Sequence, residues 1–167
     1  MEKMAGRGNI TFVENVKVSG RLHFEVFKRI NGVKQLIEVF DDKNLIVNMA
    51  RVQMAHLIAG EFDQRNITKI GFGEGQVPPE LLDTTLDTGA YIKNVDGYTF
   101  PEMGHTRFNW SLDESEANGM AITEFGLFCL DGVLFARRIR QNEATLEVKP
   151  LNKESDISFQ GYWEIQF

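Results

Sequence analysis

The sequence predicts a β-rich α+β fold, either an antiparallel sandwich or an open barrel, with one main helix near residues 47–59. Two apolar runs, residues 122–130 and 133–139, flank an Asp-Gly pair, which is among the strongest local signals of a β-hairpin. Residues 157–167 alternate apolar and polar side chains with the period of two that a half-buried strand requires. A broad apolar stripe over residues 47–59, followed by a glycine, is typical of a helix that ends there.

The remaining strands are predicted by the same alternation. Residues 21–30 and 33–40 alternate on either side of Asn31-Gly32, a pair typical of a two-residue type I′ turn. We expect residues 1–9, which are polar and glycine-rich, to be flexible, and strand-like alternation to begin near Thr11. Because its apolar stripe is broad, we expect the helix to be covered on more than one side. Shorter strands are predicted at residues 67–72, 91–95, 106–112 and 145–149.

Length and charge narrow the class of protein. A chain of 167 residues fits a single domain, residues 1–167, and its net charge of −6 argues against general nucleic-acid binding, which needs cations at the phosphates. No apolar run is long enough to span a membrane, and residues 1–9 lack the apolar core of a secretory signal. The single cysteine, Cys129, excludes an intrachain disulfide, and its apolar neighbours predict a buried, unreactive thiol.

A glycine-rich segment follows the strand predicted at residues 67–72. Gly71, Gly73 and Gly75 have the spacing of a phosphate-binding loop, but Pro78-Pro79 stands where the helix of such a loop begins, and no Lys-Ser/Thr pair follows. We therefore expect no nucleotide or other cofactor. Because the two prolines break regular structure, residues 73–83 are predicted to form an extended, poorly packed loop that orders against a neighbouring subunit.

Metal and acid–base sites have no distinctive pattern in this sequence. The three histidines are far apart and none has the spacing of metal ligands, so we expect no metal. A glycosidase would need two carboxylates facing each other, and Glu124, Asp83 and Asp87 are candidates without a signal that selects a pair. Glu124 is unusual because its neighbours are apolar. It must face solvent or meet a cation, and a structural ion pair with Arg137 or Arg138 across the hairpin is our interpretation.

The one basic run of the chain is Arg137-Arg138-Ile139-Arg140. Two interpretations are open. The arginines could dock an acidic partner or a phosphate, or they could protect an edge strand from pairing with other chains. Both could hold at a subunit interface.

Several motifs together resemble the attachment domains of tailed-bacteriophage tails, baseplates and tail-collar fibres. These domains have a helix, an iGxG strand and loop, an E-x-G-L-F hairpin closed by dG-x-L-x-A-R, and a terminal strand, in that order. The resemblance covers most of the chain from about Asn44 onward. The matching segments are residues 43–48 before the helix, 67–75, 78–86, 122–137 and 163–167.

The resemblance implies a non-enzymatic virion structural protein, an adaptor or a tail, baseplate or collar component that attaches one virion part to another. Such a protein is made in the host cytoplasm and resides in the virion, bound to other virion proteins; no catalytic residues come with the resemblance. Because the chain is rich in apolar residues and has strands at both ends that need edge partners, we expect a homo-oligomer, three-fold or six-fold. The candidate interface residues are Gln76, Val77, Pro78, Pro79, Arg137, Arg138, Arg140, Trp163 and Phe167.

An alternative function is a carbohydrate-binding β-sandwich module. It would bind sugars on exposed aromatic side chains, and Tyr91, Tyr98, Trp110 and Tyr162 are the candidates. This alternative predicts a monomer with an aromatic platform at its surface, whereas the attachment domain predicts an oligomer.

Overall fold

A computed structural model describes residues 17–167 of the chain. The expected flexibility of residues 1–9 and most of the strand-like alternation from Thr11 lie outside the described residues. Within residues 17–167 there are eleven strands and one helix. The strands are β1 Ser19–Ile30, β2 Val33–Ile46, β3 Ile67–Gly73, β4 Ala90–Asn94, β5 Gly97–Thr99, β6 His105–Leu112, β7 Ala121–Ile122, β8 Glu124–Cys129, β9 Leu134–Ile139, β10 Leu151–Asn152 and β11 Ile157–Gln166; the helix α1 is Asn48–Ile58.

Nine of these strands form one large antiparallel sheet that curls into a half-barrel. Their order across the sheet is β4-β3-β8-β9-β2-β1-β11-β6-β5, and β7 pairs with β10 separately. The predicted fold class, β-rich with an open barrel and one main helix, is therefore confirmed.

Both predicted hairpins are present. Asn31 and Gly32 have φ angles of 50° and 79°, so both central residues of the first turn are left-handed, as a type I′ turn requires. Gly132 ends the second turn with a φ of 89°. The second hairpin contributes the expected core residues: Phe125, Leu127, Leu134 and Ala136 are all buried.

The main core lies on the inner face of the half-barrel and is rich in aromatic rings. Phe125 is close to Phe24 and Phe72, with ring centroids 5.0 Å and 5.9 Å away, and Trp110 packs edge-on against Phe72 at 5.3 Å. Rings at these separations add to the stability that burial alone provides. The hairpin formed by β8 and β9 is therefore central to the core.

The helix and two strand boundaries differ from the prediction. Only Ala50 and Gln53 of α1 are buried, so the helix packs on one side and leaves several apolar side chains in solvent. The expectation that the helix is covered on more than one side is therefore wrong.

The first hairpin is longer than predicted, because β2 continues beyond residue 40 to pair with both β1 and β9. Residues 145–149 form no strand: the Asn142 side chain accepts hydrogen bonds from the backbone N–H groups of Ala144 and Thr145, which closes a turn instead.

The strands near the two chain ends have partners on both sides. β1 lies between β2 and β11, and β11 lies between β1 and β6, so neither needs an edge partner. β9 also lies inside the sheet, between β8 and β2, so the basic run does not protect an edge. The edges of the large sheet are β4 and β5. Within residues 17–167, the expectation that the first and last strands need edge partners is therefore wrong, whereas the apolar composition, the other reason to expect an oligomer, is unaffected.

Candidate functional site

A buried ion pair joins the two strands of the second hairpin. Glu124 stands opposite Ile139 and Gly126 opposite Arg137, so Glu124 and Arg137 are diagonal neighbours on one face of the hairpin. The Nε and Nη2 atoms of Arg137 donate to Oε2 of Glu124 at 3.0 Å and 2.7 Å. Glu124 is 0% exposed and Arg137 2%. The predicted structural ion pair is confirmed, with Arg137 and not Arg138 as the cation.

The carboxylate of Glu124 also binds the backbone of the loop that follows β3. Oε1 accepts hydrogen bonds from the N–H groups of Gly75 and Thr88, each at 3.0 Å, and Oε2 accepts one from Asp87 at 3.1 Å. With the two bonds from Arg137, this carboxylate has five donors and no exposed surface. It therefore acts as a structural anchor for the loop.

The guanidinium of Arg137 holds the loop at two more points. Nη1 donates to Oδ2 of Asp83 at 2.7 Å, and Nη2 donates to the carbonyl oxygen of Val77 at 2.9 Å. Burial works against the charged form, but hydrogen bonds to Asp83 and Glu124 outweigh it and keep the pKa of Arg137 above its ordinary value. We call Glu124, Arg137 and Asp83 the clamp.

Two glycines at the end of β3 leave space for the Glu124 carboxylate and the Phe128 ring. A Cβ atom on Gly73 would lie 2.6 Å from Oε1 of Glu124, and one on Gly71 would lie 2.7 Å from the ring of Phe128. Leu86, from the loop, packs beside Gly71. It is buried in a second small core with Val47, Phe128 and Leu134. The glycine spacing therefore serves close packing. The expectation of a poorly packed loop is therefore wrong where the clamp holds Gly75 and Asp83, whereas residues 76–82 between them are largely exposed.

The clamp holds an apolar crest in solvent. This loop crest, residues 76–82, exposes Val77, Leu81 and Leu82, the last with 79% of its surface accessible. Of the candidate interface residues here, Gln76, Val77 and Pro78 are exposed and Pro79 is half-buried. The apolar side chains of Met49 and Val52 on α1 are also exposed, and the loop meets the start of that helix where the N–H of Asn48 donates to the carbonyl of Leu81.

The three arginines of the basic run do not form a surface patch. Arg137 belongs to the clamp, Arg138 pairs with Asp42, and Arg140 pairs with Glu38 and donates to the carbonyl of Lys149. Their charges are neutralised by carboxylates of the same chain. Arg137 is therefore not an interface residue, and Arg138 and Arg140 are partly buried with partners of their own.

The two candidate residues at the end of the chain differ in exposure: Trp163 lies in β11, and Phe167 follows that strand. Trp163 is 0% exposed, and its indole N–H donates to Oδ1 of Asn44 at 3.0 Å, so it is a core residue and not an interface residue. Phe167 is exposed and lines a groove between α1 and the β5–β6 edge of the sheet. Phe62, Tyr98 and Phe100 are its other exposed aromatic side chains. The floor of this aromatic groove consists of Met54, Leu57, Phe108, Phe135 and Ile165.

A further apolar surface lies at the end of the first hairpin. This hairpin tip, residues 27–39, exposes apolar side chains on both of its strands. The exposed residues are Ile30, Val33, Leu36, Ile37 and Val39. The sequence carried a signal for this surface, because the apolar residues between positions 33 and 39 break strict alternation and cannot all face one core.

The aromatic residues of the carbohydrate alternative do not form one platform. Trp110 is buried in the main core, and the hydroxyl of Tyr91 donates to Glu116 at 3.1 Å. The ring of Tyr162 stacks on His23 with centroids 4.9 Å apart, and Arg107 lies over it at 3.9 Å. Tyr98 is the exposed member of the four, and it meets Phe100 edge-on.

The described residues also lack a metal-ligand cluster and a membrane-spanning helix. Among residues 17–167 no three His, Cys, Asp or Glu side chains are grouped so that they could hold a metal ion. The same part of the chain has no helix with the length and apolar character needed to cross a membrane. Comparison of the chain with protein-family models, curated proteins and solved structures found no significant match.

Proposed function

We propose that the chain is a non-enzymatic bacteriophage virion structural protein, an adaptor or a tail, baseplate or collar component that attaches one virion part to another. One observation carries the proposal: the residues of the resemblance that lie far apart in the sequence form one clamp. Glu124 and Arg137 come from the E-x-G-L-F and L-x-A-R segments, and they bind Gly75 and Val77 of the glycine-rich loop. The clamp holds the apolar loop crest in a fixed position at the surface.

The distribution of apolar side chains supports an assembly role. The loop crest, the aromatic groove and the hairpin tip are three separate exposed apolar surfaces on a chain of 167 residues. Soluble monomers rarely expose large contiguous apolar patches, and such patches mark sites where proteins meet. Binding residues are often carried on loops that a rigid scaffold positions, as the half-barrel positions the loop crest.

In this proposal the protein is made in the host cytoplasm and resides in the virion as a homo-oligomer, three-fold or six-fold. The loop crest contacts another virion protein, and apolar surfaces elsewhere on the chain join its own copies. Apolar contact fits the crest, because its one charged side chain, Glu80, lies among Val77, Leu81, Leu82 and two prolines.

The proposal is tested by incorporation into particles. Particles would be purified from a phage that encodes the chain, and the chain would be located with antibodies under the electron microscope. The double variant Leu81→Asp, Leu82→Asp should fold, because both side chains are exposed, yet it should be missing from particles. Thr84→Asp, at an exposed polar position in the same loop, is the matched control and should be incorporated.

Two results would contradict the proposal. One is absence of the wild-type chain from purified particles when it is abundant in the lysate. The other is specific binding of a glycan by a monomeric chain that never enters particles, which would support the carbohydrate-binding module instead.

A further inference from the structure

The hairpin tip and the aromatic groove lie at opposite ends of the same pair of strands. In the β1–β11 pairing, Lys28 stands opposite Ile157 near the tip, and Ser19 stands opposite Gln166 beside the groove. The ten residues of β11 span about 30 Å at about 3.3 Å per residue. One copy of the chain therefore cannot place its own tip in its own groove, whereas a second copy can.

The tip is a narrow, apolar projection that carries one lysine unpaired within the described residues. Val33 at the turn is 60% exposed, and Leu36 and Ile37 follow it into solvent. The tight turn at Asn31-Gly32 leaves only two strands at this end, so the projection is slender. Three basic residues stand on it, together with Glu38, which pairs with Arg140. Lys28 and Arg29 have carboxylate partners in the same chain, whereas Lys34 has no ion pair within residues 17–167 and its ammonium lies 4.5 Å from the centre of the Phe27 ring.

The groove is an open apolar surface with acidic residues close to it in the sequence. Its exposed side chains are aromatic, and Phe100 is 71% exposed. Asp63 follows Phe62 in the sequence, Glu102 stands two residues beyond Phe100, and both side chains are exposed. Neither Asp63 nor Glu102 takes part in an ion pair within the described part of the chain. The groove therefore has an apolar lining, and two carboxylates that are unpaired in that part of the chain stand within two residues of that lining in the sequence.

We propose that the hairpin tip of one copy inserts into the aromatic groove of a second copy, with Lys34 placed between Asp63 and Glu102 of that second copy. Val33 and Leu36 then lose their exposure to water against aromatic rings, which is the main source of affinity. The complementary charges fix the orientation and reject wrong partners. The inference deepens the homo-oligomer of the proposed function and rests on it.

This contact is head-to-tail, because each copy gives its tip to one neighbour and its groove to another. Such heterologous contacts close into a ring when the rotation between copies divides a full turn, and they continue as a filament when it does not. A ring of three or six copies is consistent with the symmetry expected above. A two-fold dimer is not, because its two copies would contribute the same surface.

The decisive experiment separates the two halves of the contact. Val33→Asp would disable the tip, and Phe100→Asp would disable the groove; both side chains are exposed, so both variants should fold. Size-exclusion chromatography with light scattering should give an oligomer for the wild type and a monomer for each variant alone. An equal mixture of the two variants should give a dimer of one copy each that grows no further, because only one working contact remains. Leu82→Asp removes an apolar side chain elsewhere that is more exposed than either Val33 or Phe100, and this variant should oligomerise like the wild type.

Charge reversal provides a second test that leaves the apolar surfaces intact. Lys34→Glu should weaken self-association about tenfold or more, because it places like charges together. Combining Lys34→Glu with Asp63→Lys and Glu102→Lys should restore assembly. Circular dichroism and melting curves would confirm that each variant is folded, and the rescue cannot arise from a misfolded chain.

Several outcomes would overturn the inference. These are a wild type that is monomeric at every soluble concentration, variants of tip and groove that both assemble normally, or two monomeric variants whose mixture stays monomeric.

Failure of this inference is distinct from failure of the proposed function. A chain that occurs in particles but is monomeric in solution overturns only the contact between copies. A chain that forms the head-to-tail oligomer but never enters particles overturns only the virion role.

Discussion

Glu124 and Arg137 lie diagonally across the β8–β9 hairpin, with Nη2 of the arginine 2.7 Å from Oε2 of the glutamate. Both groups are buried on the face of the sheet opposite the aromatic core. Desolvating two charges is costly, and the cost is offset only when every remaining polar atom finds a partner. Here the loop backbone supplies those partners, so the ion pair and the position of the loop depend on each other.

The first prediction is that Glu124→Gln is strongly destabilising, although the shape of the side chain is kept. All five groups that meet this carboxylate are donors, and an amide NH₂ in place of one oxygen would face them with a donor. Arg137 would also lose its fully buried partner. Breaking a buried pair in this way costs about 3–5 kcal/mol. The free energy of unfolding, measured with urea, should fall by that amount.

Two further variants test whether the destabilisation comes from the buried contacts of Glu124 or from the loss of any acidic side chain. Glu80→Gln changes an exposed acid in the same loop and should unfold like the wild type. The double variant Glu124→Gln, Arg137→Met removes the stranded guanidinium and should recover part of the loss. An unchanged urea midpoint for Glu124→Gln would show that the clamp does not stabilise the fold.

The second prediction concerns the close approach of the loop backbone to the clamp. A Cβ atom on Gly75 would lie closer to Oε1 of Glu124 than real Cβ atoms approach an oxygen, so Gly75→Ala must displace the carboxylate. Overpacking of this kind costs about 1–3 kcal/mol. Gly97→Ala is the matched control, because a Cβ there meets nothing within 4 Å. Differential scanning calorimetry should show a lower melting temperature for Gly75→Ala alone; equal melting temperatures would contradict the tight packing.

The sequence allowed the local parts of the fold to be predicted. The turns at Asn31-Gly32 and Asp131-Gly132 depend on backbone angles that these residues themselves favour, so their hairpins were predicted correctly. Alternation in the last strand placed Trp163 on the same face as Phe159 and Ile165, and that face is buried. Its burial could therefore have been predicted from the alternation alone, and only its assignment to an interface was wrong.

The parts that the sequence did not reveal depend on contacts between distant segments. Arg137 is buried because the loop between β3 and β4 crosses over it, and no local pattern around residue 137 contains that information. The sheet order is likewise non-local. β9 is an interior strand because the distant strand β2 pairs with it, and this pairing consists of two residues of β2, Leu45 and Ile46. The aromatic groove brings together Phe62, Phe100 and Phe167, which are far apart in the sequence.

The third prediction is that Cys129 does not react in the folded protein. Its side chain is buried in β8, and desolvation, with a smaller effect of the nearby Asp131 carboxylate, raises the pKa of the thiol to about 12. The thiolate is the reactive form, and almost none is present at neutral pH. A chromogenic disulfide reagent should label no thiol in native buffer and one per chain in denaturant. Rapid labelling of the native chain would show that β8 opens readily.

A second charged network lies on the outer face of the sheet, around Glu164. Its Oε2 accepts hydrogen bonds from Nε and Nη2 of Arg107 at 3.0 Å and 2.8 Å. Its Oε1 accepts one from Gln166 at 2.9 Å and lies 3.1 Å from Nδ1 of His105. Burial alone would raise the pKa of Glu164, but the hydrogen bonds from Gln166, Arg107 and His105 outweigh it and hold the pKa below the ordinary value of 4.5.

The last prediction is the dependence of stability on acid that follows from this network. Because the pKa of Glu164 is lower in the folded than in the unfolded chain, its contribution is fully present above about pH 4.5 and is lost as the pH falls through the folded value. Glu164→Gln should lower the free energy of unfolding at pH 7 by about 1–3 kcal/mol, the loss expected for charged hydrogen bonds. As the pH falls below about 4.5 its difference from the wild type should shrink, because the carboxyl group of the unfolded wild-type chain is protonated first and that of the folded chain follows at lower pH. Asp41 and Glu116, whose pKa values are also lowered, should maintain some acid sensitivity in the variant.

Glu147→Gln changes an exposed acid and should match the wild type at every pH. A gap between Glu164→Gln and wild type that stays constant from pH 7 to pH 3 would show that the stability of this network does not come from the charge of Glu164.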